Sequence, residues 1–314
     1  MTMAGNERKI KVLWIDDQPS DTFLDIADNN GLDVEVRTTV QAGLNELQNK
    51  NQIYEAIILD ANCKIADDNT ETPQLIALAN AIVGIYAKRI DLPWFVYTGG
   101  TYEGKEALEH IIPQNLQWWE SKQWYNKPDD INILFEDIKK AVEKREESKI
   151  IAQYSRAFNI LRSQDLLKLL KSMNTPEFER DEEVPHTIRC LCEELIDFLE
   201  KNSLFYRSKK ESSNLTADCS RFFSKDRKKR YTPIYIQRLF HFLSEYANAG
   251  SHESTNDEGE AIRKDIKAGN ATFLNRTATL ALMNIILWCS NFPLENQEKM
   301  KDIQMFYYNL STQQ

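Results

Sequence analysis

Short apolar runs and amphipathic stretches alternate along the first half of the chain. Short apolar runs are typical of strands that are buried in a parallel sheet. The five predicted strands are residues 10–15, 32–37, 54–59, 93–97 and 122–126. Helical patterns follow them at residues 20–30, 39–49, 72–88, 103–111 and from about Pro128 onward. This alternation predicts an α/β fold, a doubly wound five-stranded parallel sheet.

The second half of the chain reads as all-α. Pro185 and Pro233 each open a predicted helix, and a third helix is predicted from about Asn270 to Cys289. The helix after Pro185 carries an apolar stripe at helical spacing, formed by Ile188, Leu191, Cys192, Leu195, Ile196 and Leu199. Loops are predicted near residues 174–184, 202–231 and 250–260.

The boundary between the two halves is placed in the charged stretch 143–149. This gives a first domain of residues 1–148 and an all-helical domain of residues 149–314. Neither glycine nor proline occurs between Ile131 and Met173, so one continuous helix and two helices with an unmarked break are equally compatible with the sequence.

Charge separates the same two halves. Residues 1–148 hold 15 Lys and Arg against 26 Asp and Glu, a net charge of −11, whereas residues 149–314 hold 24 against 22, a net charge of +2. Two domains with different roles are therefore expected. The sequence has no apolar run near 18 residues and no signal-peptide core, so we expect a cytoplasmic protein with its five cysteines reduced.

Polar residues follow the predicted strands of the first domain. Asp16 and Asp17 end the first strand, Asp60 the third, Thr98 and Gly99 the fourth, and Lys127 the fifth. The carboxyl ends of parallel strands share one edge of the sheet, where ligands bind. Three clustered carboxylates call for a cation such as Mg²⁺, and a hydroxyl and a lysine suit a phosphoryl group.

The segments Ile15-Asp16-Asp17, Leu59-Asp60-Ala61-Asn62, Val96-Tyr97-Thr98-Gly99 and Asn126-Lys127-Pro128 resemble the receiver domain of bacterial two-component response regulators. The resemblance covers about residues 8–146 and implies a flavodoxin-like fold. It also implies a role for each residue at the edge of the sheet. Asp60 would be the phosphorylated residue, Asp16, Asp17, Asp60 and Asn62 would bind Mg²⁺, and Thr98, Gly99, Lys127 and the switching aromatic Trp124 would respond to the phosphoryl group.

Two segments depart from the receiver pattern. Residues 64–72 carry Asp67 and Asp68 in place of a short glycine-containing loop, and residues 100–123 are longer than usual. The second segment includes Trp118 and Trp119, which we interpret as packing residues. The alternative interpretation of the whole domain is a receiver fold that has lost phosphorylation.

The second half contains a basic segment with interleaved aromatic residues. Its basic residues include Arg221, Lys225, Arg227, Lys228, Lys229 and Arg230, and its aromatic residues are Phe222, Phe223, Tyr231 and Tyr235. Basic and aromatic residues together suit nucleic acid, through phosphate contacts and base stacking. The alternatives are a solvated loop and a surface that docks the acidic receiver.

The stretch from Glu245 to His252, an Asn-x-Gly-Ser-His turn between two amphipathic helices, resembles HEPN-type helical domains, some of which are RNases. Asn248 and His252 are the candidate residues there. Active members of that group place an arginine four to six residues before the histidine, and this chain has none in that window. A histidine that caps the end of a helix is the simpler interpretation.

These observations predict a response regulator of a phosphorelay that is not itself an enzyme. Its partners would be a sensor histidine kinase and, through the helical domain, RNA, DNA or a protein, and a homodimer is also compatible. The alternatives are a receiver-controlled HEPN-type RNase and a phosphorylation-dependent protein adaptor. No helix-turn-helix, phosphate-binding loop or cyclase signature is found in the sequence.

Overall fold

A computed structural model describes residues 8–49, 52–67, 75–99, 124–207, 215–226, 231–250 and 264–312 of the chain. The chain divides into two compact units, residues 1–152 and 153–314. This division lies four residues beyond the boundary that the charge pattern predicts.

The first unit is built on a five-stranded sheet in which every pair of neighbours is parallel. Its strands are β1 (Ile10–Ile15), β2 (Leu32–Arg37), β3 (Ala56–Leu59), β4 (Trp94–Thr98) and β5 (Trp124–Asn126). Their order is β2-β1-β3-β4-β5, which confirms the predicted doubly wound, flavodoxin-like α/β fold. The order reverses between β1 and β3, and ligands bind at such a reversal.

Helices cover both faces of this sheet. They are α1 (Asp21–Asn29), α2 (Val40–Glu46), α3 (Ile76–Ala87) and α4 (Ile131–Lys144). Because side chains alternate along a strand, Val12 and Trp14 pack with residues of α1 and α4, while Leu13 and Ile15 pack with residues of α2 and α3. Two hydrophobic layers therefore hold the sheet, and its carboxyl edge carries the polar residues.

Helix α3 is described from Ile76, and Leu75 before it has a left-handed φ of 67°. The predicted helix start at Thr72, with Pro73 in the first turn, lies outside the described residues. The predicted helix at residues 103–111 and the pair Trp118 and Trp119 lie outside the described residues.

The helical run after the sheet is not continuous. Helix α4 ends at Lys144, and Arg145 is extended, with φ −78° and ψ 138°. Helix α5 (Glu146–Gln153) follows directly. The continuous arrangement is therefore wrong, and residues 131–173 hold four helices instead of the two in the other arrangement.

The second unit is helical throughout its described residues. Its helices are α6 (Ser155–Ile160), α7 (Gln164–Ser172), α8 (Val184–Lys201), α9 (Leu215–Ser224), α10 (Ile234–Gly250), α11 (Leu274–Glu295) and α12 (Met300–Thr312), with 3-10 turns at Pro176–Arg180 and Gln297–Lys299. The three predicted helices correspond to α8, α10 and α11. Two helices were not predicted, namely α9, which lies in an expected loop, and α12.

Helix α11 packs against α6, α8 and α10 in this unit. It is the one helix among the described residues that is long and apolar enough to cross a membrane by length and composition. More than half of that apolar stretch is buried inside the unit, which is what a core helix of a helical domain shows. The opposite side of the helix is exposed.

Candidate functional site

Three carboxylates meet at the carboxyl edge of the sheet. Asp16 and Asp17 follow β1, and Asp60 follows β3, the neighbouring strand. One ligand oxygen of each lies within 4.8 Å of the others. Asp16 and Asp60 are buried and Asp17 is half-buried, so the cluster opens to solvent on the Asp17 side. The parallel sheet thus brings together the acids that the sequence predicted.

Lys127 joins two of these carboxylates. Its Nζ lies 2.9 Å from Oδ1 of Asp60 and also donates to Oδ2 of Asp16. The lysine is held in place because its backbone N–H donates to the carbonyl oxygen of Thr98 at 2.9 Å, just beyond the β4–β5 pairing. One cation therefore contacts residues from two other strands, across 111 residues of sequence in the case of Asp16.

Backbone groups fix the two buried carboxylates. The N–H of Gln18 donates to Oδ1 of Asp16 and the N–H of Asn62 donates to Oδ2 of Asp60, each at 2.8 Å. Each aspartate thus has one oxygen bound by the backbone and the other bound by Lys127. Such bonds restrict the carboxylate rotation before any ligand arrives, which is the pre-organisation that binding and phosphoryl chemistry require.

The electrostatics of the cluster are unbalanced. Burial raises the pKa of Asp16 above its usual value, although Lys127 acts in the opposite direction. For Lys127, burial alone would lower the pKa, but the bonds to Asp16 and Asp60 outweigh burial and raise it. Three carboxylates against one ammonium leave an excess of negative charge. All the donor atoms are oxygens, so the cluster fits a hard divalent cation such as Mg²⁺.

Four other predicted residues take their places around the cluster. Thr98 is buried at the end of β4, and Asn62 is exposed beside Asp60. Gly99 is exposed, and a methyl group added there would find its nearest neighbour, Cβ of Lys127, only at 4.0 Å. Trp124 lies in β5, the strand that pairs with the strand of Thr98, and it is half-buried against the hydrophobic layer on the α2 and α3 side.

Sequence reasoning missed two aromatic rings of the site. The rings of Trp14 and Tyr97 each lie with their centroid 5.5 Å from Nζ of Lys127. Trp14 precedes Asp16 by two residues, so strand alternation places both on one face of the sheet, and that signal could have found it. The rings favour the cation, and burial raises the pKa of Tyr97 to about 12, which keeps its hydroxyl neutral.

The basic segment of the second unit differs from expectation. Phe222 and Phe223 are both buried in the core, with 1% and 0% exposure, so they are not available to stack on bases. The basic and aromatic residues alternate in the sequence because they lie on the exposed and the buried side of helix α9. Arg221 and Lys225 are exposed, and Arg221 lies 3.1 Å from Asp218. The side chains of Arg227, Lys228, Lys229, Arg230, Asn248 and His252 lie outside the described residues.

The carboxylate and lysine cluster at the strand reversal is therefore the candidate site of the first unit. No protein-family model matches the chain, and a search of curated proteins finds no match either.

Proposed function

We propose that the first unit is a receiver domain in which Asp60 accepts a phosphoryl group from a sensor histidine kinase. The observation that carries this proposal is Lys127, whose ammonium contacts both Asp16 and Asp60 at the edge where three strands end. A cation that spans two buried carboxylates is weak evidence for a role in stability, because replacing buried charges by well-packed hydrophobic residues is often neutral or stabilising. It has value for a reaction in which one of these oxygens gains a phosphoryl group.

The reaction requires one new bond. An oxygen of Asp60 forms the bond to phosphorus while the P–N bond to the kinase histidine breaks and the imidazole leaves with that electron pair. The new phosphoryl group carries about −1.5 to −2 charges, and the carboxylate loses its own charge when it forms the anhydride, so the edge of the sheet gains about one negative charge. Lys127 compensates part of that charge, because it already lies 2.9 Å from Oδ1 of Asp60.

Asp16, Asp17, Asp60 and the backbone carbonyl of Asn62 would hold Mg²⁺, which supplies positive charge to the phosphoryl oxygens. The chain's own residues position the acceptor: the N–H of Asn62 fixes Oδ2 of Asp60. The open space at Gly99 leaves room for the incoming group.

Signal transmission is assigned to the β4–β5 side of the sheet. The hydroxyl of Thr98 would donate to the new phosphoryl oxygen, and Trp124, opposite Val96 in the β4–β5 register, would repack in response. In the β4–β5 pairing, Thr98 is opposite Asn126, which is two residues from Trp124. The output is then a change of the surface formed by β4, β5 and their neighbours.

The helical unit is proposed as a binding module and not as an enzyme. Of its two candidate outputs, a protein partner is favoured over nucleic acid, because the burial of Phe222 and Phe223 removes two of the four aromatics that suited base stacking. The nucleic-acid alternative keeps Arg221, Lys225 and the exposed ring of Tyr235. A cytoplasmic location is proposed with it, since the five cysteines are free thiols.

The experiment is labelling of the full chain with a small phosphodonor in the presence of Mg²⁺, read by intact-protein mass spectrometry. The wild type should gain the mass of one phosphoryl group, and hydroxylamine should remove it, since an acyl phosphate is cleaved by that nucleophile. Asp60→Asn should remain unlabelled. Asp67→Asn, an exposed carboxylate on the same loop, is the matched control and should label normally. Labelling of Asp60→Asn to the wild-type level would refute the assignment.

A further inference from the structure

The outward side of helix α11 is an uncharged stripe. Its leucines are Leu280, Leu287 and Leu294, which are 53%, 37% and 65% exposed. Asn284 is exposed and Asn291 half-buried between them, and Thr277 and Phe273 extend the stripe towards the start of the helix. No Asp, Glu, Lys or Arg occurs between Arg276 and Glu295, so this side of the helix has no charged residue over its length.

The remaining sides of α11 form the core of the unit. Ala278, Leu282, Ile285 and Ile286 are among its buried residues. A surface helix normally carries charged and polar residues on its outer face, so a face with leucines and no charged residue is unusual. Helix α8 shows the usual alternative for a surface helix, since it exposes Asp197 and Lys201. The stripe on α11, about 30 Å long at 1.5 Å per residue, therefore has the composition of a covered surface.

The spacing of the stripe identifies the kind of partner. From Leu280 to Leu294 the steps are four, three, four and three residues, which is the spacing of a coiled-coil seam, and Pro293 lies inside the helix between the last two of these positions. Leucine occupies one seam position throughout, and Thr277, Asn284 and Asn291 occupy the other. A second helix with the same period is the surface that fits this seam.

The asparagines select a second copy of this chain in parallel orientation. In a parallel pair each seam position meets its own counterpart, so leucine packs on leucine and asparagine faces asparagine. An asparagine amide carries both donors and an acceptor, so two of them satisfy each other, and asparagine at a seam position fixes the register and the number of helices at a cost in stability. An antiparallel pair would place each amide against a leucine, which leaves a buried polar group without a partner.

We propose that the stripe on α11 is a homodimer surface, in which two copies meet through parallel α11 helices about a two-fold axis along the helix direction. A groove of about 350 Å³ lies beside Asn284, Leu287 and Asn291, and Tyr235, 58% exposed, forms part of its wall. Ile234, its neighbour in sequence, is 53% exposed. The apolar surface thus continues from α11 onto the start of α10, beyond a single helix face.

The first test is the mass of the full chain in solution, measured by sedimentation over a concentration series. The wild type should reach twice the chain mass of 36.6 kDa. Asn284→Asp should weaken the dimer by about tenfold or more, because it places two carboxylates opposite each other at the axis. Asn80→Asp is the matched control: both amides are exposed on a helix and donate to the carbonyl four residues earlier, at 2.9 Å for Asn80 and 2.8 Å for Asn284.

The second test is the orientation of the two helices. Leu280→Cys should form a disulfide-linked dimer under mild oxidation, because residue 280 meets its own counterpart only in the parallel pair. Met305→Cys, 61% exposed on α12, is the control and should cross-link slowly. The proposal is overturned if the wild type is monomeric at its highest soluble concentration, if both aspartate variants have the same effect, or if Leu280→Cys cross-links no faster than the control. A monomer that binds RNA or another protein through Leu280 and Leu287 would assign the stripe to that partner instead.

Discussion

Lys127 contacts two buried carboxylates, and this single side chain determines the electrostatic state of the cluster. The ammonium of the lysine lies over two aromatic rings and contacts carboxylates that follow two other strands, so its position is fixed from several directions. The charge balance is still negative, because Asp17 adds a third carboxylate. Removing one buried carboxylate should therefore relieve repulsion and reduce the cost of burying charge.

Asp16→Asn should stabilise the protein when no divalent cation is present. Burial disfavours the charged form of Asp16, as its raised pKa indicates, and Lys127 keeps its bond to Asp60 in the variant. We expect a gain of about 1 kcal/mol in the free energy of unfolding. Mg²⁺ should raise the unfolding temperature of the wild type and change that of the variant less, because ligand binding stabilises the state that binds it. A variant less stable than the wild type without Mg²⁺ would show that the Asp16–Lys127 pair outweighs the burial cost.

Glu35→Gln tests a second charge cluster, away from the site. Burial alone would raise the pKa of Glu35, but its bonds to Lys11, Tyr54 and Arg37 outweigh burial and lower the pKa to about 2. A carboxylate with a lowered pKa stabilises the fold above its unfolded pKa of about 4.5, and that contribution is lost as the pH falls towards 2. The wild type should therefore lose about 1–3 kcal/mol more than Glu35→Gln over this window.

Acid unfolding followed by circular dichroism measures this difference. Tyr54→Phe should lie between the two proteins, because it removes one hydrogen bond of 2.8 Å to Glu35 and keeps the ion pairs. Parallel stability curves for the wild type and Glu35→Gln between pH 4.5 and 2 would contradict the assignment of the lowered pKa.

At the scale of elements, the close packing of α2 on strand β1 determines how tightly the residues below the site fit together. Gly43 faces Ile15, the last residue of β1, and a methyl group on Gly43 would overlap Cδ1 and Cγ1 of Ile15. Thr39 caps the same helix by accepting the N–H of Ala42 at 3.2 Å, and the backbone N–H of Val40 donates to Lys64 in the loop after Asp60. Helix α2 thus contacts both segments that carry the carboxylates.

Gly43→Ala should therefore destabilise the first unit. The new methyl group must displace Ile15, and overpacking of this kind costs about 1–3 kcal/mol. Gly99→Ala is the control, because its nearest neighbour would be 4.0 Å away and its stability should be unchanged. Chemical denaturation of both variants gives the comparison. Equal stability of the two would mean that Ile15 moves aside without cost.

The sequence predicts the strands and the site residues for one physical reason. Strands buried on both faces are marked by apolar runs, and parallel strands bring the residues after them to one edge, so the sequence alone groups Asp16, Asp60 and Lys127. The sequence pattern does not show how far a side chain extends within a layer. The contact between the Tyr97 ring and the ammonium of Lys127 could therefore not be predicted from it.

Two helices of the second unit, α9 and α12, could not be predicted because their apolar residues form no clear helical pattern in the sequence. In α9 the buried residues Cys219, Phe222 and Phe223 stand among polar and basic residues, a pattern that favours a loop with a nucleic-acid function. Helix α12 buries only Ile303 and Tyr307, too few apolar positions to show a period. In both helices tertiary packing outweighs a weak sequence pattern.

At the scale of the whole molecule, the two compact units should unfold as separate cooperative blocks. Leu13→Ala and Leu282→Ala remove matched leucines, each 0% exposed, from the first and second units. Each should lower the free energy of unfolding of its own unit by about 2–5 kcal/mol. One calorimetric transition should therefore move to a lower temperature, and the other should stay in place. Mg²⁺ should raise only the transition that Leu13→Ala lowers. A single transition lowered by both variants would show that the units unfold together.

The break at Arg145 has a mechanical consequence. A continuous helix transmits torsion, because each turn is hydrogen-bonded to the next, whereas an extended residue rotates about its own φ and ψ and does not. The guanidinium of Arg145 lies 3.6 Å from Asp91 and 3.5 Å from Glu147, so the joint is tied to the loop before β4. We therefore expect a twist of α4 to end at Arg145 and not to be passed on to α5 as torsion.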